Sequence, residues 1–178
     1  NIHFPAGNNI GFGFSAISDE IGPVSETNLY VDFSYTLNLA NENRLAFGIK
    51  AGGTFHDIGL IDLSLIDPND PFFANDINEN TPNFGAGIYF YKPNKYYVSV
   101  SVPNILESVH LDSSDFNIGS ETRHIFAAMG YVFDINNDFK FKPHAFMKYA
   151  SEAPVSLDLN ANLFMYDFVE FGLGYRTD

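Results

Sequence analysis

The chain of 178 residues has no cysteine and no tryptophan, only 9 lysines and arginines, and no apolar run long enough to form a membrane helix. Each absence excludes something. Without cysteine there is no disulfide framework, no thiolate zinc site and no cysteine nucleophile. Nine basic residues against 22 acidic ones leave a formal charge of −13, which argues against nucleic acid as a partner, because phosphate binding needs a cationic surface. A membrane helix takes about 20 consecutive apolar residues, so any bilayer crossing must be made by strands. Charged residues are 17% of the chain, below the roughly 25% of ordinary soluble domains. The chain opens on Asn1 without a basic and apolar leader, the expectation for a processed chain or a piece of a longer one.

What is present is aromatic: 19 phenylalanines and 10 tyrosines, set out in steps of two. Leu29, Val31, Phe33, Tyr35, Leu37 and Leu39 share one face, with Tyr30, Asp32, Ser34, Thr36 and Asn38 on the other. The same split separates Leu45, Phe47 and Ile49 from Arg44, Gly48 and Lys50. It also separates Val155, Leu157, Leu159, Ala161 and Leu163 from Ser156, Asp158, Asn160 and Asn162. Period-two alternation is the mark of a strand with one apolar side. Weaker versions occupy 10–17, 84–91, 96–102, 124–133, 139–149 and 169–175, giving nine candidate strands.

The expected connections alternate in length. Short turns fall at 41–43, 92–95, 135–137 and 166–167, and long ones at 18–28, 55–83 and 103–122, with 151–154 short on the long-loop side. That is the plan of an up-and-down outer-membrane barrel, with short periplasmic turns and longer outer loops. A soluble lipocalin-like barrel also alternates, but its outer face must be well charged. Here the non-apolar face is Gly11, Gly13, Ser15, Gly85, Gly87, Tyr89, Tyr97, Ser99, Ser101, Gly172 and Gly174, a poor exterior and a good narrow lumen. Tyr91, Tyr96, Tyr97, Tyr131, Phe133, Phe139, Phe164, Tyr166 and Phe168 gather beside the short turns, where an interfacial girdle sits. The expected fold is all-β: an antiparallel transmembrane β-barrel in a bacterial outer membrane, its long acidic loops outside. Residues 1–178 are expected to form the central portion of one larger, even-stranded barrel domain.

Signals of chemistry are sparse, and the chain is not expected to be an enzyme. Ser15 in Gly13–Ile17 lacks the last glycine of a nucleophile elbow, and His3, His56, His110, His124 and His144 show no metal spacing. Asp76, Asn78, Asn80 and Asp134, Asn136, Asp138 open like calcium loops, then fail at the sixth and twelfth positions. No cofactor or metal is expected. Two features suggest a partner surface. Pro71–Ala74 is an apolar knot in an acidic loop, with Asp70, Phe72 and Phe73 either anchoring a partner or plugging the barrel mouth. Asp19–Ser25 is a turn around Gly22 and Pro23, in which Asp19 and Glu20 either dock a partner or cap a structural staple. Arg44, Lys92, Lys95, Lys140 and Lys142 flank the short turns, as snorkelling side chains or as a second patch.

The stretch NNIGFGFSAISDEIGPVSETNLYVDFSYTLNL (8–39), sharpest at Asp19–Ser25, resembles the PorP/SprF family of type IX secretion outer-membrane proteins. RLAFGIKAGG, NFGAGIYFY, VSVPNIL, RHIFAAMGYVFDI, FKFKPHAFMKY and APVSLDLNANLF extend the resemblance over nearly the whole chain. It implies a larger barrel with strands before Asn1 and after Asp178, and a role in type IX secretion and gliding. The implied partners are a secreted adhesin or other cargo with a C-terminal sorting domain, periplasmic ring or lipoprotein components of the machine, and membrane lipid. The competing expectation, from the barrel alone, is a transporter for small apolar molecules of the fatty-acid porin kind.

Overall fold

Alternation sustained at this length builds one sheet. The computed structural model describes residues 1–59, 76–106, 109–113, 116–120, 122–151, 153–166 and 168–177. Its strands are β1 (Ile2–Pro5), β2 (Ile10–Ile21), β3 (Val24–Asn38), β4 (Arg44–Ile58), β5 (Ile77–Lys92), β6 (Tyr96–Val102), β7 (Val109–Ser113) and β8 (Phe116–Ser120). They continue as β9 (His124–Tyr131), β10 (Phe133–Asp134), β11 (Phe139–Ala150), β12 (Ala153–Met165) and β13 (Val169–Arg176). Eleven of them form a single antiparallel sheet in chain order, with β10 continuing the β9 edge along β11, while β7 and β8 make a separate hairpin. A 3₁₀ turn, Ala40–Glu42, links β3 to β4. β1 and β13 end the path, and among the described residues no ladder joins them.

The register lines up one apolar face across the whole sheet. Phe12, Phe33, Ile49 and Ala86 follow one another across β2 to β5, and Val98, Met129, Ala145 and Leu159 across β6, β9, β11 and β12. Phe33, Leu37, Phe47, Leu157 and Leu163 all belong to this face. Asp32, Asn38, Lys50, Asp158 and Asn160 belong to the other, as the alternation predicts. No second layer covers the apolar side: among the described residues Tyr30 and Ala150 are the buried hydrophobic side chains, while Val31, Ile49, Met129 and Phe171 stand more than half exposed. An apolar surface far beyond a few hundred Å² asks for an apolar solvent. On β3 the band runs from Leu29 to Leu37, matching the roughly 9 to 11 residues of a tilted membrane strand. In lipid every backbone group must be paired, which the ladders from β2 to β12 provide.

Where the structure departs from the expected outline, it lengthens strands. The expected long connection at 18–28 is a two-residue hairpin, with Ile21 opposite Val24 and Glu20 opposite Ser25. Gly22 has φ +59° rather than the extended conformation expected before proline. A positive φ at the first central position, followed by a residue of negative φ, is the type II′ pattern that matches strand twist. The expected 55–83 loop shrinks because β4 runs to Ile58 and β5 starts at Ile77, fully paired. Backbone pairing continues there without apolar alternation, so periodicity does not reveal it. The 103–122 connection contains the β7–β8 hairpin. β1 is too short to show a period, and the expected 124–133 strand is broken at Val132, whose N–H donates to the Lys95 carbonyl at 2.7 Å.

Candidate functional site

The polar face is where chemistry is available, and it divides into three regions along the strands. At the tip, β2 to β5 project beyond the apolar band. On the opposite face, in the row of Leu29 and Val31, the Ser18 and Thr27 hydroxyls meet at 3.2 Å. The Thr54 hydroxyl, 4% exposed, donates to Asn28 Oδ1 at 2.6 Å. The Asn28 amide donates to Glu26 Oε1 at 2.6 Å, and His56 Nδ1 lies 3.8 Å from the same carboxylate. This polar chain locks β3 to β4 where lipid contact has ended.

In the middle, a depression of about 580 Å³ is floored by Gly11, Gly13, Gly48, Gly85 and Gly87 and flanked by Asp32 and Lys50. The Lys50 ammonium sits 3.7 Å from the centre of the Tyr30 ring, a cation–π contact. The segment after β6 crosses this floor. Asn83, 1% exposed, binds Leu106 as a peptide would: Nδ2 donates to the Leu106 carbonyl at 3.1 Å and Oδ1 accepts the Leu106 N–H at 3.1 Å. Asn83 Oδ1 also accepts the Phe84 N–H at 2.8 Å, and the Ile105 N–H donates to the Phe84 carbonyl at 2.8 Å. Gly85 is required beneath it, because a Cβ there would lie 2.5 Å from the Pro103 carbonyl oxygen.

At the short-turn end, a vestibule of about 610 Å³ is lined by Tyr89, Tyr91 and Tyr97 on one wall and Lys140, Lys142 and Phe164 on the other, with Lys92 and Lys95 at its rim. Tyr89 stands 4.8 Å from Tyr91 and 5.9 Å from Tyr97, centre to centre. The Tyr97 ring lies over Gly130, where a Cβ would meet it at 2.5 Å. Lys95 pairs with Asp134 at 3.0 Å and Lys92 with Glu42 at 3.4 Å. The hydrogen bond to Asp134 raises the Lys95 pKa above the ordinary lysine value. On the apolar side the same end carries an aromatic row, Phe90, Tyr96, Tyr131, Phe133 and Phe141, with neighbouring rings 4.5 to 6.4 Å apart.

The residues singled out from sequence do not form one site. Asp19 and Glu20 are consecutive ladder residues, opposite Glu26 and Ser25, so their side chains leave opposite faces. Among the described residues Asp19 Oδ1 accepts the neighbouring Glu20 N–H, at 3.0 Å, as a local cap. Asp70, Phe72 and Phe73 lie outside the described residues. Beside the two acids, Ile17 and Ile21 are 57% and 73% exposed, an apolar element of the tip that a charge-based reading passes over. Asn136, from the second calcium-like stretch, accepts the Asp138 and Phe139 N–H groups, both at 2.9 Å, and so caps its hairpin. Among the described residues no three His, Asp or Glu side chains gather as metal ligands.

A single continuous sheet with one bare apolar face and one polar face is how a strand-built membrane protein looks, and the sequence matches the family model for the type IX secretion system membrane protein PorP/SprF over residues 1–178. The chain belongs to the PorP/SprF family. No curated protein and no solved structure matches it. This PorP/SprF chain is therefore a membrane protein of the type IX secretion system. None of its described helices is long and apolar enough to cross a bilayer.

Proposed function

We propose that this PorP/SprF protein is an outer-membrane β-barrel that binds a secreted partner and assists its export or surface attachment, without catalysing a reaction. The partner class is cargo with a C-terminal sorting domain, such as an adhesin of the gliding machinery, with periplasmic ring or lipoprotein components engaged at the opposite end. The observation that carries the reading is the tip. Strands β2 to β5 continue past the lipid-matched band as a paired, polar-laced sheet whose polar face bears Asp19, Glu26 and the exposed Ile17 and Ile21, with Glu20 and Asp57 on the opposite face. A rigid acidic platform with apolar anchors suits a protein partner better than a solute. Asp70, Phe72 and Phe73, which the sequence alone suggests as partner residues, lie outside the described residues.

Affinity purification of the tagged full-length protein from its own membrane tests this. A large secreted protein is expected to co-purify, and Ile21→Asp together with Asp19→Asn on the same face is expected to release it while the barrel stays folded. The competing reading, a transporter for small apolar molecules, draws on the glycine-floored depression. It predicts large, steady single-channel conductance and no retained protein.

A further inference from the structure

We infer that the tyrosine and lysine vestibule at the short-turn end is a docking site for an acidic, extended peptide segment of a partner. This rests on the partner-binding reading above and names the chemistry of one partner. Three features carry it. The first is charge: in a chain of net charge −13, this recess is lined by Lys92, Lys95, Lys140 and Lys142 and by one carboxylate, Asp134, with Glu42 pairing Lys92 from outside the lining.

The second is the placement of that charge. Lys92 and Lys95 are held at the rim by Glu42 and Asp134. Lys142 is on the inner wall, its ammonium 6.0 Å from the Phe164 ring centre, with no ion pair among the described residues. It lies in the same register row as Asn162, on the polar face, so it is not a cation reaching for lipid headgroups. A lysine kept on an inner wall, facing three phenols across the recess, is placed to meet an anion there.

The third is size and shape. At about 610 Å³ the recess falls in the range of organic ligand sites, roughly 300 to 1,000 Å³, and far exceeds one inorganic anion. Tyr89, Tyr91 and Tyr97 offer hydroxyls and ring faces in a row, which suits backbone carbonyls and side-chain stems as well as carboxylates. Tyrosine supplies such amphipathic contact at low entropic cost. The recess opens beside the Pro93–Lys95 turn, so a chain end or loop can enter without parting the strands.

The test uses the full-length protein in nanodiscs and two fluorescein-labelled probes, octaglutamate and octaglutamine, read by fluorescence anisotropy. Octaglutamate is expected to bind at least about tenfold more tightly than octaglutamine, with affinity falling as salt rises. Lys142→Gln is expected to remove most of that preference and Lys142→Arg to restore it, with both variants keeping the heat-modifiable gel shift of a folded barrel. Equal binding of the two probes by the wild-type protein would overturn the inference whatever the variants do. So would displacement of octaglutamate by inorganic phosphate at equal charge concentration, which would mean a simple anion site. If cargo co-purifies while octaglutamate fails to bind, the vestibule proposal falls and the function stands. If octaglutamate binds and no cargo is retained, the vestibule stands as a peptide site and the cargo reading falls.

Discussion

The two ends of the sheet are built from the same alternating strands, yet they are held by different forces. At the short-turn end, hairpins close tightly and the rings of Phe90, Tyr96, Tyr131 and Phe133 adjoin one another on the apolar face, while Lys140 and Lys142 stand on the polar one. At the tip the apolar face gives out after Leu29, and Thr27 and Ser25 continue the row as Ser18 and Glu20 do on β2. There the backbone ladder and the Glu26, Asn28, Thr54 bonds carry the structure. The difference shows where the apolar band stops: one end is shaped for an interface between lipid and water, the other for water.

The strongest way to break this contrast is to charge the band itself. Ile49 lies midway along it, between Phe33 and Ala86 and 61% exposed. Ile49→Arg is expected to cost about 2 to 4 kcal/mol near the bilayer midplane, measured by denaturant unfolding in lipid vesicles. Thr27→Arg, two positions beyond Leu29 on the same face, is expected to cost under about 1 kcal/mol; equal costs would erase the distinction between band and tip. Next in size is Asn83→Ala, which strips the Leu106 backbone of two partners and is expected to cost about 1 to 3 kcal/mol. Hydrogen exchange at the Leu106 amide reads it directly, and unchanged protection would mean that the crossing segment is held by something else.

The smallest effect belongs to the rim. Lys95 has a raised pKa through Asp134, so its contribution is fully present below the unfolded lysine pKa and is lost as pH rises through the higher folded value. Wild type and Lys95→Gln are expected to differ slightly in thermal midpoint at neutral pH and to converge in alkali. A gap that persists at high pH would point to packing instead of charge.

The strands and their facing were legible because a sheet with one apolar and one polar face must alternate, and Leu29–Leu37 does so. The ends of the strands were not legible. Beyond the band neither face is consistently apolar, so the pairing of Asp57 with Ser25 and Asn78 leaves no periodic trace. The lysines were visible as residues flanking turns, but their assembly with Tyr89 and Tyr97 depends on β6, β9 and β11 lying side by side, with Gly130 between Tyr97 and His144. No local pattern encodes that adjacency. Asn83 was hidden for a similar reason: its partner lies 23 residues away, in a segment without regular structure.

Because these 178 residues contain no cysteine, single cysteines can be introduced one at a time from position 29 to 37, labelled with an environment-sensitive fluorophore and exposed to brominated lipid. The account predicts strong quenching at 29, 31, 33, 35 and 37 and weak quenching at 30, 32, 34 and 36. Uniform quenching, or quenching with the opposite phase, would contradict the assignment of the apolar face to lipid.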